Sequence, residues 1–255
     1  MKINIQSLNF DSAKINFYNS LDEVDYLTVG DFSCIKRNIF FLNTDLLNKF
    51  SLIKKKLFLQ LPLVVRENEL DLTKNFIKKV HNCFDGFITG DLGIVKFLEL
   101  FPKKVLIYTT NVTNKELSGI LKNDFSIDFV RPLMYKRTYI NEEIAFPKDV
   151  VVYGNMMINC ATFCYHSEND LVENCKFGCK SPRPLIMNNE KLHLVGRSLL
   201  TENRFDIIKN IDRIKDLEMA TIMDFDLSKT EIQDIIKKIS KDSTDEVSKI
   251  VKVRN

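Results

Sequence analysis

Residues 71–109, DLTKNFIKKVHNCFDGFITGDLGIVKFLELFPKKVLIYT, change hydrophobic period three times in one short span. Leu72, Phe76, Ile77 and Val80 recur every three to four positions, the repeat of one helix face. DGFITG (85–90) is a short apolar run closed by Gly90, and it reads as a strand. Asp91 then stands where an N-cap would, ahead of the helical pattern DLGIVKFLELFP, with Pro102 just past its end. KVLIYT (104–109) returns to a β-branched strand run. Helix, strand, helix and strand in sequence predict right-handed crossovers and a parallel sheet.

The same alternation extends in both directions. Strands are expected at KINIQSL (2–8), DYLTVG (25–30), LFLQLPLVV (57–65), SIDFVRP (126–132), DVVVYG (149–154), KLHLVG (191–196) and MATIMDF (219–225). LFLQLPLVV is continuous enough to be buried on both faces, as parallel strands are, although Pro62 lacks a ladder donor. Further helices are expected over 114–121, 203–217 and 227–240. Eight or nine strands with helices between them favour an α/β fold, a (β/α) TIM-barrel-like architecture, complete or distorted, over an open doubly wound sheet. One domain over 1–240 and a fraying tail over 241–255 follow from the absence of repeats and low-complexity linkers.

Composition narrows the function classes. A 45% hydrophobic chain of 255 residues can bury a sizeable core. The net charge of +3 is mild and the lysines are dispersed, which argues against a nucleic-acid partner. Neither a G-x-G-x-x-G nor a Walker-type loop occurs, which argues against dinucleotide or nucleoside triphosphate chemistry. The N-terminus carries no apolar signal-peptide segment and no run is long enough to span a bilayer, so a cytoplasmic protein is expected.

Four of the six cysteines fall in NCATFCYHSENDLVENCKFGC (159–179), spaced Cys160-x3-Cys164-x10-Cys175-x3-Cys179; the other two are Cys34 and Cys83. In a reducing compartment such a cluster points to a metal more than to disulfides. The two C-x3-C pairs would suit four-thiolate zinc, and a thiolate iron–sulfur site is equally compatible, so spacing leaves zinc and iron–sulfur both open. DYLTVGDFSCIKRN puts Cys34 just past a strand, on the carboxyl face where barrels carry their sites. The bland alternative makes Cys34 and Cys83 small buried apolar residues.

Four short motifs in order carry a family resemblance. Gly30, Cys34, Lys36 and Arg37 match a strand-terminal G-E-x-x-C-x-K-R, with Asp31 replacing the Glu. Asp91-Leu92-Gly93 matches a D-L-G; Tyr153-Gly154 precedes Cys164 by the family's ten residues; Cys175 and Cys179 form its later C-x3-C. Leu194-Val195-Gly196-Arg197-Ser198 is similar to its post-cluster strand. The chain thus resembles the collagenase-like peptidase family U thirty-two, in its UbiV-like branch of anaerobic ubiquinone biosynthesis. The resemblance implies a 4Fe–4S cluster on Cys34, Cys164, Cys175 and Cys179, with Cys160 as a possible substitute ligand. It also implies oxygen-independent hydroxylation with oxygen from prephenate, in a heterodimer with a homologous UbiU-like chain. Phe163 departs from the Arg that the family carries there, and Cys160 is additional. Relatives include RNA-hydroxylation proteins and proteins described as peptidases, so the small-molecule substrate does not carry over with the fold. Outside that resemblance, a zinc-stabilised non-catalytic binding module on Cys160, Cys164, Cys175 and Cys179 is the rival.

Lys36 and Arg37 are candidates for binding a substrate anion or neutralising a cluster, against the simpler reading of a solvated pair. His166 and His193 flank the cysteines; His166 is a candidate to supply a proton or replace a ligand, against the simpler reading of a surface or packing histidine, and His81 is read as a helix-end cation. Asp31 and Asp91 could line the same barrel face, Asp91 chiefly as a cap. Arg183, between two prolines, is expected on a rigid turn shielding the cluster.

Overall fold

The structure is a computed structural model, and it describes the chain except residues 8–9, 102–104, 111–114, 133–142, 161–182, 188, 196 and 254–255. The strands are β1 (Lys2–Ser7), β2 (Tyr26–Val29), β3 (Lys56–Gln60), β4 (Gly86–Thr89), β5 (Val105–Thr110), β6 (Phe129–Pro132), β7 (Lys148–Cys160), β8 (Arg183–Met187), β9 (Glu190–Val195), β10 (Ser198–Asp206) and β11 (Leu217–Met223). β1 to β7 pair in sequence order, all parallel, and β11 pairs in parallel with both β1 and β7. Those eight strands form a closed barrel, as the alternating pattern predicts.

Side-chain alternation sorts the barrel into an outer and an inner layer. Ile3 and Ile5 of β1, with Leu57 and Leu59 of β3, join the main core between sheet and helices. Each such buried aliphatic side chain contributes roughly 1.5–3 kcal/mol. A second cluster of Tyr26, Phe58, Ile88, Ile107 and Met219 is separate from that core and plugs the barrel interior. Above it the interior turns polar, with Asn4, Gln6, Thr28, Gln60, Arg131, Asp149 and Thr221 all buried.

The helices are α1 (Ile15–Asn19), α2 (Ile35–Phe41), α3 (Thr44–Lys49), α4 (Glu67–Val80), α5 (Leu92–Leu98), α6 (Lys115–Asp124) and α7 (Lys229–Val253). Asp91 does cap α5, its Oδ1 accepting from Ile94 N at 3.0 Å. α7 opens on a reciprocal capping box: Ser228 N donates to Glu231 Oε2 at 2.8 Å and Glu231 N to Ser228 Oγ at 3.2 Å. Those bonds hold the Glu231 carboxyl down to about 2. No helix among the described residues is long and apolar enough to cross a membrane.

β7 outruns the barrel. Its first half closes the barrel against β11, and its second half pairs antiparallel with β10, continuing into β9 and β8. Gly154 sits at the junction with φ +126°, and a Cβ there would lie 2.7 Å from Met223 Cβ and O. Only glycine fits this kink.

Several expectations are corrected. β3 stops at Gln60, because Leu61 N and Leu63 N turn to Ile88 O and Phe32 O, so Pro62 lies outside the ladder. The helix expected over 203–217 is the end of β10 followed by a 3-10 segment, Ile208–Arg213. Arg183 lies on the exposed strand β8, not on a turn. The final helix runs past 240, to Val253.

Candidate functional site

β2 ends at Val29, and Gly30 takes φ +106° to pass within hydrogen-bonding range of β3; a Cβ there would meet Gln60 O at 2.6 Å. The loop that follows is built around the Asp31 carboxylate. Its Oδ1 accepts from Ser33 N (2.7 Å), Ser33 Oγ (2.5 Å) and Cys34 N (2.9 Å), and its Oδ2 faces Arg37 Nε at 2.9 Å. Asn38 locks the same loop from α2, accepting from Asp31 N at 2.5 Å and donating to Asp31 O and Gln60 O. Cys34 therefore stands rigidly at the N-cap position of α2, at the carboxyl end of β2 and only 8% exposed. Burial pushes its thiol up to about 12, and the Asp31 and Glu69 carboxylates push the same way, against a hydrogen bond from the Arg37 backbone and the charge of Arg197. At neutral pH this is a protonated thiol, a poor nucleophile unless a cation lies against it.

Beside it is a second buried charge pair. Arg197, in the turn between β9 and β10, forks onto Glu69 of α4: Nη1 donates to Oε2 at 3.0 Å and Nη2 to Oε1. Both residues are buried, and both act electrostatically on the Cys34 thiol. The next residue, Ser198, pairs with Cys160, the last residue of β7. Cys160, the last described residue before the cysteine-rich stretch, is thus paired with the neighbour of an arginine that acts electrostatically on Cys34.

Cys164, Cys175, Cys179, His166 and Phe163, with the rest of residues 161–182, lie outside the described residues. Among the described residues no three His, Cys, Asp or Glu side chains gather to hold a metal. Arg37 is not a solvated cation: it is buried against Asp31, with its guanidinium 4.7 Å from the Phe41 ring. It cannot meet a substrate anion without abandoning a buried carboxylate. Lys36, one residue earlier in α2, is half-buried. Cys83 is exposed, not the small buried residue expected, because α4 ends in a 3-10 turn, His81–Cys83, at the surface. His193 packs its ring near Phe225 on β9, and His81 Nδ1 bonds Lys78 O; both are packing or helix-end residues.

A small cavity opens at the carboxyl end of the barrel. Gln6 of β1, Gln60 of β3, Thr109 of β5, Arg131 of β6 and Asn155 of β7 reach it, and Phe32 of the Asp31 loop forms part of its wall. Arg131 is held on several sides. Nε donates to Asp149 Oδ2 (2.7 Å), Nη1 to Gln6 Oε1 (2.5 Å) and Gln60 Oε1 (3.5 Å), and Nη2 to Thr221 Oγ1 (3.3 Å); Nη2 also lies 2.5 Å from Asp149 Oδ2 as an ion pair. Glu69, Asp149 and Asn155 escaped the sequence reading. A charged residue inside an apolar parallel strand, as in FVRP, is the signal that would have found the Arg131 network. No family model, no curated protein and no solved structure matches this chain.

Proposed function

We propose that the chain is an iron–sulfur barrel protein resembling the UbiV-like branch of peptidase family U thirty-two. In this reading Cys34, Cys164, Cys175 and Cys179 hold a 4Fe–4S cluster, with Cys160 able to replace one of them. The protein takes part in oxygen-independent hydroxylation together with a homologous partner. One observation carries the reading: Cys34 is fixed at the barrel's carboxyl face within electrostatic reach of Arg197, whose neighbour Ser198 pairs with Cys160, the first of the clustered cysteines. Such a cluster, when bound, supplies one-electron transfer. The chain's own contribution is the rigid Asp31–Asn38 loop that presents Cys34, and the Glu69–Arg197 pair that balances charge beside it. The donor chemistry is consistent, since a thiol this buried becomes a thiolate only against a cation.

The zinc-stabilised binding module is favoured by the same burial of Cys34, which suits an inert apolar cysteine. Anaerobic purification with iron, sulfide and zinc quantification separates the two. The cluster reading expects about four iron and four sulfide per chain and broad absorption near roughly 400 nm, lost in Cys34→Ala. Stoichiometric zinc that survives Cys34→Ala overturns it.

A further inference from the structure

We propose that the groove between α4 and the α2–α3 pair binds a small free carboxylic acid with an alkyl chain, its carboxylate on Lys79. The inference does not depend on the iron–sulfur reading, so either can fail without the other.

The groove encloses about 380 Å3, against about 60 Å3 for the cavity at the barrel mouth. It falls within the roughly 300–1,000 Å3 usual for small-molecule sites, which the smaller cavity does not. α2, α3 and the turn between them supply Ile39, Leu42 and Leu47, and α4 supplies Leu72, Phe76 and Val80. The three α4 residues follow one another at intervals of four, a single apolar row along the helix. Ile39 is 37% exposed, and Leu47 and Leu72 are only half-buried, so part of this apolar surface still faces water. An alkyl chain laid along the row would take that surface out of water, which is the source of its affinity.

The polar lining decides the head group. Beside the apolar row, Asn75 and Lys79 form a second row, one turn apart on α4. Lys79 is the one charged residue among those lining the groove, and it is exposed. The other two lysines of α4, Lys74 and Lys78, sit over the Phe97 ring at 5.7 and 5.9 Å. Lys79 has no ion-pair, hydrogen-bond or ring partner among the described residues. Asn43, which also lines the groove, gives its Oδ1 to Leu46 N as the α3 cap, so what it offers a ligand is its amide N–H groups. An unpaired ammonium with amide donors in the same groove, and no carboxylate in the lining, complements an anion and disfavours a cation. Polar and apolar rows side by side on one helix select a molecule with a charged head and an apolar tail.

The test titrates the full chain with octanoate, octanol and octyltrimethylammonium, and follows binding by saturation-transfer NMR. Octanoate should bind saturably with a Kd of about 0.1–1 mM. Octanol should bind roughly two- to fivefold more weakly, the value of one exposed ion pair, and the cation more weakly again. Lys79→Gln should bring octanoate to the level of octanol and leave octanol unchanged, with little change in melting temperature because the side chain is exposed and unpaired. Ile39→Ser should weaken octanoate and octanol alike. Octanol binding as tightly as octanoate, octanoate unaffected by Lys79→Gln, a cation that binds best, or no saturable octanoate binding overturns the proposal. So does co-sedimentation with phosphatidylglycerol vesicles without octanoate binding, which would make the groove a contact for a lipid surface.

Discussion

Two of the buried arginine–carboxylate pairs, Arg131–Asp149 and Glu69–Arg197, look alike and do different things. Arg131–Asp149 sits inside the barrel, where Gln6, Gln60 and Thr221 from three further strands share the guanidinium and the carboxylate. Glu69–Arg197 sits outside it and joins α4 to the β9–β10 turn, elements 128 residues apart in sequence. The first is a node that many strands depend on. The second is a single clasp holding the antiparallel extension to the helical shell beside Cys34. A buried pair stabilises only as far as its remaining donors and acceptors are satisfied.

The sharpest way to break that contrast is Arg131→Met. It leaves Asp149 charged in the barrel interior, and stability should fall by about 3–5 kcal/mol in urea denaturation, with all parts of the barrel unfolding together. Adding Asp149→Leu should recover most of the loss, since two apolar residues replace a matched pair. A double variant as unstable as the single would mean that the network, not the unpaired charge, carries the stability.

Glu69→Gln tests the clasp and should cost less, about 1.5–3 kcal/mol, the value of a hydrogen bond to a charged group. Its signature is local. Amide exchange should speed up in β9 and the start of β10 while β1, at the barrel centre, stays protected. Uniform acceleration across both regions would show that the clasp is as integral as the node.

How far the sequence reveals these two regions differs as well. All eight barrel strands are visible in the sequence because parallel strands buried on both faces read as continuous apolar runs. α2 is hidden because its amphipathicity is inverted: Arg37 and Asn38 face inward to hold the Asp31 loop, while Ile39 and Phe40 are exposed. β10 and the segment after it are misread as one helix because Ile208, Ile211 and Ile214 are buried at a spacing of three, the repeat of a 3-10 turn. Cys34 is legible as a strand-end residue, but the Glu69–Arg197 pair beside it is not. Nothing local in ENELDL or VGRS announces a contact made across more than a hundred residues.

Another buried carboxylate shows what happens when the partner is a poorer one. Asp224, at the end of β11, accepts from the Tyr18 hydroxyl and meets Lys14 Nζ at 3.3 Å, but Lys14 is a partly exposed ammonium with one contact where arginine would fork. Burial raises the Asp224 carboxyl above its ordinary range, against the opposing pull of Lys14 and Tyr18. Burial, then Asp224 itself, raises Tyr18 in turn. The folded chain therefore holds the Asp224 proton more tightly than the unfolded chain does. It gains stability as pH falls from neutral toward the ordinary aspartate range and levels off below it. Asp224→Asn removes the titration, so the melting temperature of the wild type relative to the variant should rise between pH 7 and pH 4, the smallest of the three effects. A gap that moves the other way would mean that Lys14 stabilises the anion more than burial penalises it. A lysine would then serve in that position as well as the arginines serve in theirs.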